Sequence, residues 1–314
     1  MTRAFLFPGQ GAQTIGMGRD LAEAYPQARA VFAEVDEALG EHLSALIWEG
    51  EQDALTLTRN AQPALMATSM AVMAALEAEG VEVTQAAYVA GHSLGEYSAL
   101  AAAGALGLGD AARLLRLRGE AMQAAVPAGQ GAMAAVLGLD FDSVAAVAAE
   151  AAEDQVCAAA NDNDPAQVVI SGHEAAVLRA VDLAKAKGAK RAILLPVSAP
   201  FHCALMAPAA EVMAEALAVV RLRAPRVPLV GNVTATAETD PQAIAQRLVE
   251  QVTGRVRWRE SIGWMVAQGV TETWEIGAGK ALSGMVKRID RAVETRSAAT
   301  AAEVRALAEM LADG

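Results

Sequence analysis

The stretch Gly91-His92-Ser93-Leu94-Gly95 is the most informative part of this sequence for both fold and chemistry. It follows a short apolar run, residues 86–90, and precedes a helix-forming run, residues 96–103. A strand, a sharp turn and a helix are the context in which Gly-x-Ser-x-Gly presents a serine as a nucleophile. The glycines let the backbone turn tightly, and the first N–H groups of the following helix can hold an oxyanion. The stretch therefore predicts a nucleophilic Ser93 on a strand–turn–helix unit.

Composition narrows the class of protein. The length suits one large domain or two of ordinary size, and 54% apolar residues can bury a substantial core. A net charge of −12 argues against nucleic acid as a partner, because phosphate binding draws on clustered lysine and arginine. No apolar run approaches the ~20 residues of a membrane span, and the N-terminal one is too short for a signal peptide. Cys157 and Cys203 form no metal-ligand pattern. We expect a soluble, cytoplasmic protein without a metal or a membrane partner.

Strands and helices alternate through most of the chain. This alternation predicts a mainly parallel sheet covered on both faces. We assign it to a large α/β-hydrolase-like domain formed by residues 1–128 and 197–314. The main predicted elements are a strand over Arg3–Phe7, a helix over Pro63–Glu79 capped by Asn60, a helix capped by Asp110 that carries Arg113, Arg116 and Arg118, a helix capped by Asp240 that ends near Thr253, and a strand over Thr271–Ile276.

Residues 129–196 have a different order of predicted strands and helices. Their order of elements, β-α-β-β-α-β, is that of the ferredoxin-like unit. We therefore expect a small ferredoxin-like domain inserted into the large one, with a cleft between them. The predicted elements are strands over Ala132–Leu137, Val156–Ala160, Gln167–Ile170 and Arg191–Leu195, with helices over Phe141–Ala152 and Glu174–Lys187.

A serine nucleophile needs a neighbouring base, usually histidine. The chain offers four histidines: His42, His92, His173 and His202. His202 lies in a loop after a strand and before a helix, where catalytic groups concentrate, so it is the best base by elimination. The alternative, an exposed loop histidine without a role, stays open at this point. A long stretch follows His202, whereas hydrolase triads place the histidine late in the chain, so a hydrolase fits poorly.

The chain resembles the malonyl-CoA:acyl-carrier-protein transacylases over essentially its whole length. Several motifs in the right order carry the resemblance: Phe7-Pro8-Gly9-Gln10-Gly11-Ala12-Gln13, Gln62-Pro63-Ala64, Gly91-His92-Ser93-Leu94-Gly95-Glu96-Tyr97, Arg118-Gly119, Asn161-Asp162-Asn163, residues 167–172, Ser198-Ala199-Pro200-Phe201-His202, Gly231-Asn232-Val233 and Glu275-Ile276-Gly277.

The resemblance implies roles for individual residues. Ser93 is expected to be the nucleophile and His202 its general base. A main-chain or amide acceptor supports the histidine in this family, and Gln251 occupies the matching position. The backbone N–H groups of Leu94 and Gln10 are expected to form the oxyanion hole.

The resemblance also implies the reaction. The family moves a malonyl group from malonyl-CoA to the phosphopantetheine thiol of acyl carrier protein through a malonyl-serine intermediate, with ping-pong kinetics. Arg118 is expected to hold the malonyl carboxylate, which a guanidinium binds through two parallel hydrogen bonds. No cofactor is expected, because the coenzyme A thioester is a substrate. Members of the family are usually monomers.

Three other functions remain open from the sequence. A serine esterase or thioesterase would use the same Ser93. A malonyl transferase serving a malonate decarboxylase carrier shares nearly all the chemistry. A scaffold domain of a synthase assembly would need no catalysis, and the intact Ser93, His202 and Arg118 argue against it.

Basic residues cluster in three places. Such clusters are most often solvated faces, and the alternative is a docking surface for an acidic partner such as the carrier protein. They are Lys185, Lys187, Lys190 and Arg191, then Arg255, Arg257 and Arg259, and finally Lys287 and Arg288.

Overall fold

The computed structural model describes residues 2–127 and 129–312, and ten strands in two sheets lie within them. Ala128, at the predicted boundary of the small domain, lies outside the described residues, as do Met1, Asp313 and Gly314. The strands are β1 (Arg3–Phe7), β2 (Tyr88–Gly91), β3 (Gly131–Leu137), β4 (Cys157–Asp164), β5 (Gln167–His173), β6 (Arg191–Leu194), β7 (Leu229–Val230), β8 (Ala237–Glu238), β9 (Glu272–Ile276) and β10 (Glu294–Ala298).

Fourteen α-helices within the described residues cover these sheets and connect their strands. They are α1 (Arg19–Ala24), α2 (Pro26–Leu39), α3 (Leu43–Glu49), α4 (Gln52–Thr56), α5 (Thr58–Ala78), α6 (Gly95–Ala102), α7 (Leu108–Ala124), α8 (Phe141–Ala152), α9 (Glu174–Ala186), α10 (Ala207–Val219), α11 (Pro241–Thr253), α12 (Trp258–Ala267), α13 (Ala281–Ile289) and α14 (Ala301–Ala312).

Sheet A has the strand order β10-β9-β1-β2-β7-β8, and every pair is parallel except β7 with β8. Residues 4–7 of its central strand β1 are all apolar and buried, because both faces of the sheet are covered. Phe5 and Phe7 pack into the largest core cluster, whereas Ala4 and Leu6 pack into a second cluster on the opposite face. The prediction of a mainly parallel sheet is confirmed.

Sheet B is antiparallel, with the strand order β4-β5-β3-β6. Helices α8 and α9 pack on it around a separate apolar cluster that includes Val147 and Val177. The elements follow the predicted order, and two strands are longer than predicted. Strand β4 continues to Asp164 because its polar end pairs with residues 167–169 of β5, and β5 continues to His173 because its end pairs with the first residues of β4 and β3.

Strand β4 also attaches sheet B to the helices of sheet A. The Asp162 main-chain N–H donates to the Val256 carbonyl at 2.9 Å, and Asn161 and Val256 form a parallel bridge. The Asp162 carboxylate accepts from the Arg259 guanidinium, with Nη2 at 2.8 Å from Oδ2 and Nε at 2.9 Å from Oδ1. The Val256 N–H also donates to the Ala160 carbonyl, and Arg288 pairs with Asp164, so main-chain and charged contacts together hold the two sheets at this edge.

Removal of Arg259 is expected to destabilise the protein strongly. Asp162 is 0% exposed and Arg259 35% exposed, so Arg259→Met leaves a buried carboxylate without its cation. Such a loss costs about 3 kcal/mol, the lower end for a buried pair because the arginine is partly solvated. Urea unfolding measures it, with Arg113→Met as the control. Arg113 pairs with Asp110 at the surface, 56% and 40% exposed, and should cost under about 1 kcal/mol. Equally small losses of unfolding free energy in the two variants would contradict a structural role for the Arg259–Asp162 pair.

The helix predicted over Pro63–Glu79 begins earlier than predicted, at Thr58, and Asn60 is not its cap. Proline usually marks a helix start, because it lacks the N–H that would reach back four residues. Here the Arg59 carbonyl, which Pro63 leaves without a partner, accepts from Arg116 Nη1 at 2.7 Å. A side chain from α7 therefore replaces the missing backbone bond and lets the helix continue around Pro63.

Two other predicted caps have different outcomes. Asp240 is the N-cap of α11, and its side chain accepts from the Ala243 N–H at 3.0 Å. Asp110 is not a cap: α7 begins at Leu108 with Gly107 as its N-cap, and Asp110 lies in the first turn beside Arg113. An acidic residue in the first turn still complements the helix dipole.

Candidate active site

Three loops meet at the carboxyl edge of sheet A. Strands β1, β2 and β7 are adjacent and parallel, with Phe7 opposite Gly91 and Ala90 opposite Val230. The loops that follow them begin with residues 8–10, 92–94 and 231–232. The carboxyl edge of a parallel sheet is where such loops converge, so this register brings Gln10, Ser93 and Asn232 together.

Ser93 lies on the sharp turn between β2 and α6. Its φ of 54° is in the left-handed region, which is uncommon for a residue other than glycine and marks local strain. A side chain at Gly91 would collide with the Gly95 backbone, and one at Gly95 with the Phe7 carbonyl. Both glycines are therefore required for the turn, as the sequence pattern predicts.

His202 is the partner of Ser93. Its Nε2 lies 2.7 Å from Ser93 Oγ, and its Nδ1 lies 2.9 Å from the main-chain carbonyl oxygen of Gln251. That carbonyl belongs to the last turn of α11, where helix carbonyls lack intrahelical partners and carry the negative end of the dipole. The acceptor is thus the Gln251 main chain and not its amide, and it fixes Nδ1 as the protonated nitrogen.

Burial, followed by the charge of Arg118, lowers the pKa of His202 from 6.5 to about 3. The base is therefore neutral at physiological pH. We expect kcat/KM for acyl transfer to stay level from about pH 7 to about pH 5, without the usual acid limb near 6.5. Arg118→Ala removes one cause of the lowering and should move the limb to higher pH. An acid limb near 6.5 in the unaltered protein would contradict this expectation.

The same pKa shift affects stability. Between about pH 6.5 and about pH 3 the unfolded chain protonates His202 while the folded chain does not. The unfolded state then binds more protons, so the contribution of this residue to the free energy of unfolding falls as the pH falls through that range.

Arg118 on α7 is 1% exposed and lies directly against the nucleophile. Its Nη2 donates to Ser93 Oγ at 3.2 Å and to Gln251 Oε1 at 2.9 Å, and its Nη1 donates to Gln62 Oε1 at 2.7 Å. No carboxylate within the described chain forms an ion pair with it, and its buried Nε has no acceptor there. A buried cation held by neutral amides is costly, so the site favours an anionic ligand.

A buried polar network lies beneath the Ser93 turn. The Ser93 N–H donates to Asn232 Oδ1 at 2.8 Å, and the Asn232 side chain donates to the Gly91 carbonyl at 2.7 Å. Glu96 accepts from the Asn232 N–H at 2.5 Å and from Gln251 Nε2. Burial raises the pKa of Glu96 to about 8, although the Asn232 N–H, the Gln251 amide and the charge of Arg118 act in the opposite direction.

The N–H groups of Leu94 and Gln10 are available to a ligand. Neither donates to another group in the described part of the chain. Leu94 precedes the first residue of α6, so its N–H is among those that a helix leaves unpaired. The Ser93 N–H, by contrast, is already bound by Asn232. The oxyanion hole of Leu94 and Gln10 stays a prediction, for which these two N–H groups have no competing acceptor in the described part of the chain.

None of the other three histidines has a hydrogen bond to Ser93 Oγ within the described residues. His92 Nε2 lies 2.9 Å from Asn163 Oδ1, and burial lowers its pKa. His173 precedes α9 and accepts from the Val156 N–H at 2.9 Å. His42 is exposed before α3. The elimination that selected His202 is consistent with this placement.

The basic clusters are mostly ion-paired. Lys190, Arg191 and Lys287 are exposed and have no acidic partner in the described ranges. The pairs are Lys185 with Asp182, Lys187 with Glu150, Arg255 and Arg257 with Glu260, Arg259 with Asp162, and Arg288 with Asp164. The first and the third cluster therefore keep charge without an acidic partner, and Lys287 donates only to the Val293 carbonyl.

Sequence reasoning did not assign roles to Glu96, Asn232 or Gln62. Glu96 and Asn232 stand inside motifs that were noted, but their partners are more than a hundred residues away in the chain. Within residues 2–127 and 129–312, no group of three or more His, Cys, Asp or Glu side chains could hold a metal ion. None of the helices described is long and apolar enough to cross a membrane.

Comparison with known proteins identifies close relatives. Residues 4–306 match the acyl transferase domain. The chain is 49% identical over 308 residues to the malonyl CoA-acyl carrier protein transacylase of Escherichia coli K12, covering 98% of each. The acyl-carrier-protein-S-malonyltransferase of Bartonella henselae is 55% identical, with a TM-score of 0.97 over 99% of this chain and all of that one. A malonyl-transacylase solved with its type II PKS acyl-carrier protein is 42% identical, with a TM-score of 0.96 over 99% of this chain and 100% of that one.

Proposed function

The chain belongs to the acyl transferase domain family, and on that premise we propose how its residues carry the reaction. It transfers the malonyl group of malonyl-CoA to acyl carrier protein, as its relatives are named for doing. The observation that carries the proposal is the Ser93–His202 hydrogen bond of 2.7 Å with the buried Arg118 guanidinium beside it. The product would supply malonyl units for fatty-acid synthesis.

The first half-reaction acylates the enzyme. Ser93 Oγ attacks the thioester carbonyl while His202 Nε2 takes its proton. The Leu94 and Gln10 N–H groups hold the oxyanion, and each such donor is worth about 3 kcal/mol. The carbon–sulfur bond then breaks, and the coenzyme A thiolate leaves with the proton from His202. The imidazolium formed meanwhile is stabilised by the α11 carboxyl end through the Gln251 carbonyl.

The second half-reaction reverses these steps with a different thiol. His202 takes the proton of the phosphopantetheine thiol, and the sulfur attacks the malonyl-Ser93 ester. The carbon–oxygen bond to Ser93 breaks, and His202 returns the proton to Oγ. One ester and two thioesters are exchanged with no net oxidation or hydrolysis. Two successive transfers through one serine predict ping-pong kinetics.

Arg118 provides the selectivity for malonyl over acetyl groups. The malonyl carboxylate lies two bonds from the reacting carbonyl carbon, and Arg118 Nη2 lies 3.2 Å from Ser93 Oγ. A carboxylate at this place supplies the anion that the guanidinium lacks. An acetyl group leaves the charge buried and unpaired, which disfavours its transfer.

Incubation with radiolabelled malonyl-CoA, without a carrier, tests the proposal. We expect label on Ser93 after proteolysis, and discharge of that label onto a pantetheine thiol faster than onto water. Rapid hydrolysis of the malonyl-enzyme would indicate an esterase instead of a transferase. Absence of label would indicate a scaffold without catalytic activity. The unaltered chain treated with labelled acetyl-CoA is the control and should label poorly.

We further propose that residues 129–196 form a ferredoxin-like domain inserted into an α/β-hydrolase-like domain of residues 1–128 and 197–314. The support is the strand order β4-β5-β3-β6, two helices on the sheet, and an apolar cluster separate from the main core. The free charge of Lys190 and of Arg191, the first residue of β6, suits a carrier-docking surface. A monomeric state and a cytoplasmic location stay predictions.

A further inference from the structure

Gln251 contacts both the general base His202 and the buried cation Arg118. Gln251 binds His202 Nδ1 through its main-chain oxygen and Arg118 through its side-chain oxygen, at 2.9 Å in each case. The first contact depends only on the position of α11. The second depends on which end of the side-chain amide faces the guanidinium, because the two ends differ as acceptor and donor.

The amide of Gln251 has one orientation that its neighbours accept. Its Nε2 donates to the Ser93 carbonyl at 2.9 Å and to Glu96 Oε2, while Oε1 accepts from Arg118. The reversed amide would turn its oxygen toward two acceptors and its NH₂ toward the N–H groups of Arg118. Glu96, which is 2% exposed, cannot relieve that conflict by turning to solvent.

We propose that Glu96 is a positioning residue that fixes the Gln251 amide with its oxygen toward Arg118, and so holds the guanidinium where the acyl carboxylate binds. The inference rests on the proposed function and deepens it. Glu96 does not touch the reacting atoms. It acts through Gln251, and its effect should therefore appear in acyl-group selectivity more than in the serine chemistry.

Glu96 is itself held from two sides. It lies in the first turn of α6, where the helix dipole favours a carboxylate, and its Oε1 accepts from the Asn232 main-chain N–H at 2.5 Å. Burial outweighs these contacts and raises the pKa of Glu96 to about 8. The acceptor pattern described here is therefore that of the ionised carboxylate, and the Glu96 variants are compared above that pH. With one oxygen committed to a main-chain donor, the other faces Gln251 in a fixed place.

The variant Glu96→Gln keeps the shape and changes the hydrogen-bond pattern. Either orientation of the new amide places its NH₂ against a donor, from Asn232 or from Gln251. The Asn232 N–H is main chain and cannot reverse, so the Gln251 amide must shift or reverse, and either change weakens its hydrogen bond to Arg118. We expect the malonyl-to-acetyl ratio of Ser93 acylation rates to fall about 10- to 100-fold, the usual effect of losing a hydrogen bond to a charged group.

Glu275→Gln is the matched control. Glu275 is also fully buried, its pKa is raised by burial, and its two oxygens accept from the main-chain N–H groups of Leu282 and Ser283. It has no hydrogen bond to Gln251 or Arg118. This variant should lower the melting temperature by a similar amount and leave the malonyl-to-acetyl ratio unchanged.

A double-mutant cycle with Arg118→Ala separates positioning from a general structural role. If Glu96 acts through the guanidinium, Glu96→Gln changes the ratio in the unaltered chain and not in the Arg118→Ala background. Gln251→Met, which keeps the main-chain oxygen for His202, should lower the ratio as Glu96→Gln does. It gives a second route if Glu96→Gln fails to fold.

Two results would overturn the inference: equal losses for malonyl and acetyl groups, or the same fall in ratio with and without Arg118. Both are distinct from failure of the proposed function. If the unaltered chain takes no label from malonyl-CoA, the function itself falls, whatever the Glu96 variants do.

Discussion

Replacement of Ser93 by alanine is expected to abolish the malonyl-enzyme and to lower transfer to a carrier thiol by on the order of 10⁴- to 10⁶-fold. Without Oγ neither half-reaction has a nucleophile, and the His202 proton transfer has no partner. The backbone turn keeps its shape, because alanine meets the same left-handed φ of 54° as serine. Rapid-quench labelling with radioactive malonyl-CoA measures the first step, and carrier acylation measures both.

Ser98→Ala supplies the matched control. Ser98 lies on α6, one turn beyond the nucleophile, is fully buried, and its Oγ has no partner in the described part of the chain. The substitution removes a hydroxyl from the same helix without touching the reaction and should leave the rate within about twofold. If Ser93→Ala keeps transfer near the unaltered rate, the carrier thiol attacks malonyl-CoA directly and the covalent mechanism is wrong.

The sequence predicts the local parts of this fold well. The Ser93 turn, β1 over Arg3–Phe7 and α8 over Phe141–Ala152 depend on neighbouring residues, and their bounds agree with the structure or differ by one or two residues. The start of α5 depends instead on Arg116, which comes from another helix to bind the carbonyl that Pro63 leaves free. No pattern within the helix itself carries that information.

The residues of the candidate site also differ in how far the sequence predicts them. Ser93 follows from its motif, and His202 follows because few histidines compete for the role. Motif resemblance supplied Arg118 and Gln251, whose chemistry alone would not select them from many similar residues. Glu96 was missed, because a carboxylate in a first helical turn is ordinary until its contact with Gln251, 155 residues away, is seen.

Replacement of Arg118 by alanine is expected to affect the transfer of malonyl and acetyl groups in different ways. Malonyl transfer should fall by roughly 30- to 5,000-fold, which corresponds to the 2–5 kcal/mol lost when one partner of a buried charge pair is removed. Acetyl transfer should hold or rise, because the variant no longer leaves a buried cation unpaired and frees Ser93 Oγ from the 3.2 Å bond to Nη2. Single-turnover acylation of Ser93 from the two thioesters measures the ratio directly.

Arg116→Ala controls for the structural cost of losing a buried arginine. Arg116 lies on the same helix, is 7% exposed, and binds the Arg59 carbonyl, Asn60 and Glu41 without contacting Ser93. Its loss should lower stability and leave the malonyl-to-acetyl ratio unchanged. Equal losses of both acyl groups in Arg118→Ala would show that the arginine supports the fold and not the carboxylate. Selectivity would then have to come from the shape of the cleft, because the described residues within hydrogen-bond reach of Ser93 Oγ include no other cation than Arg118.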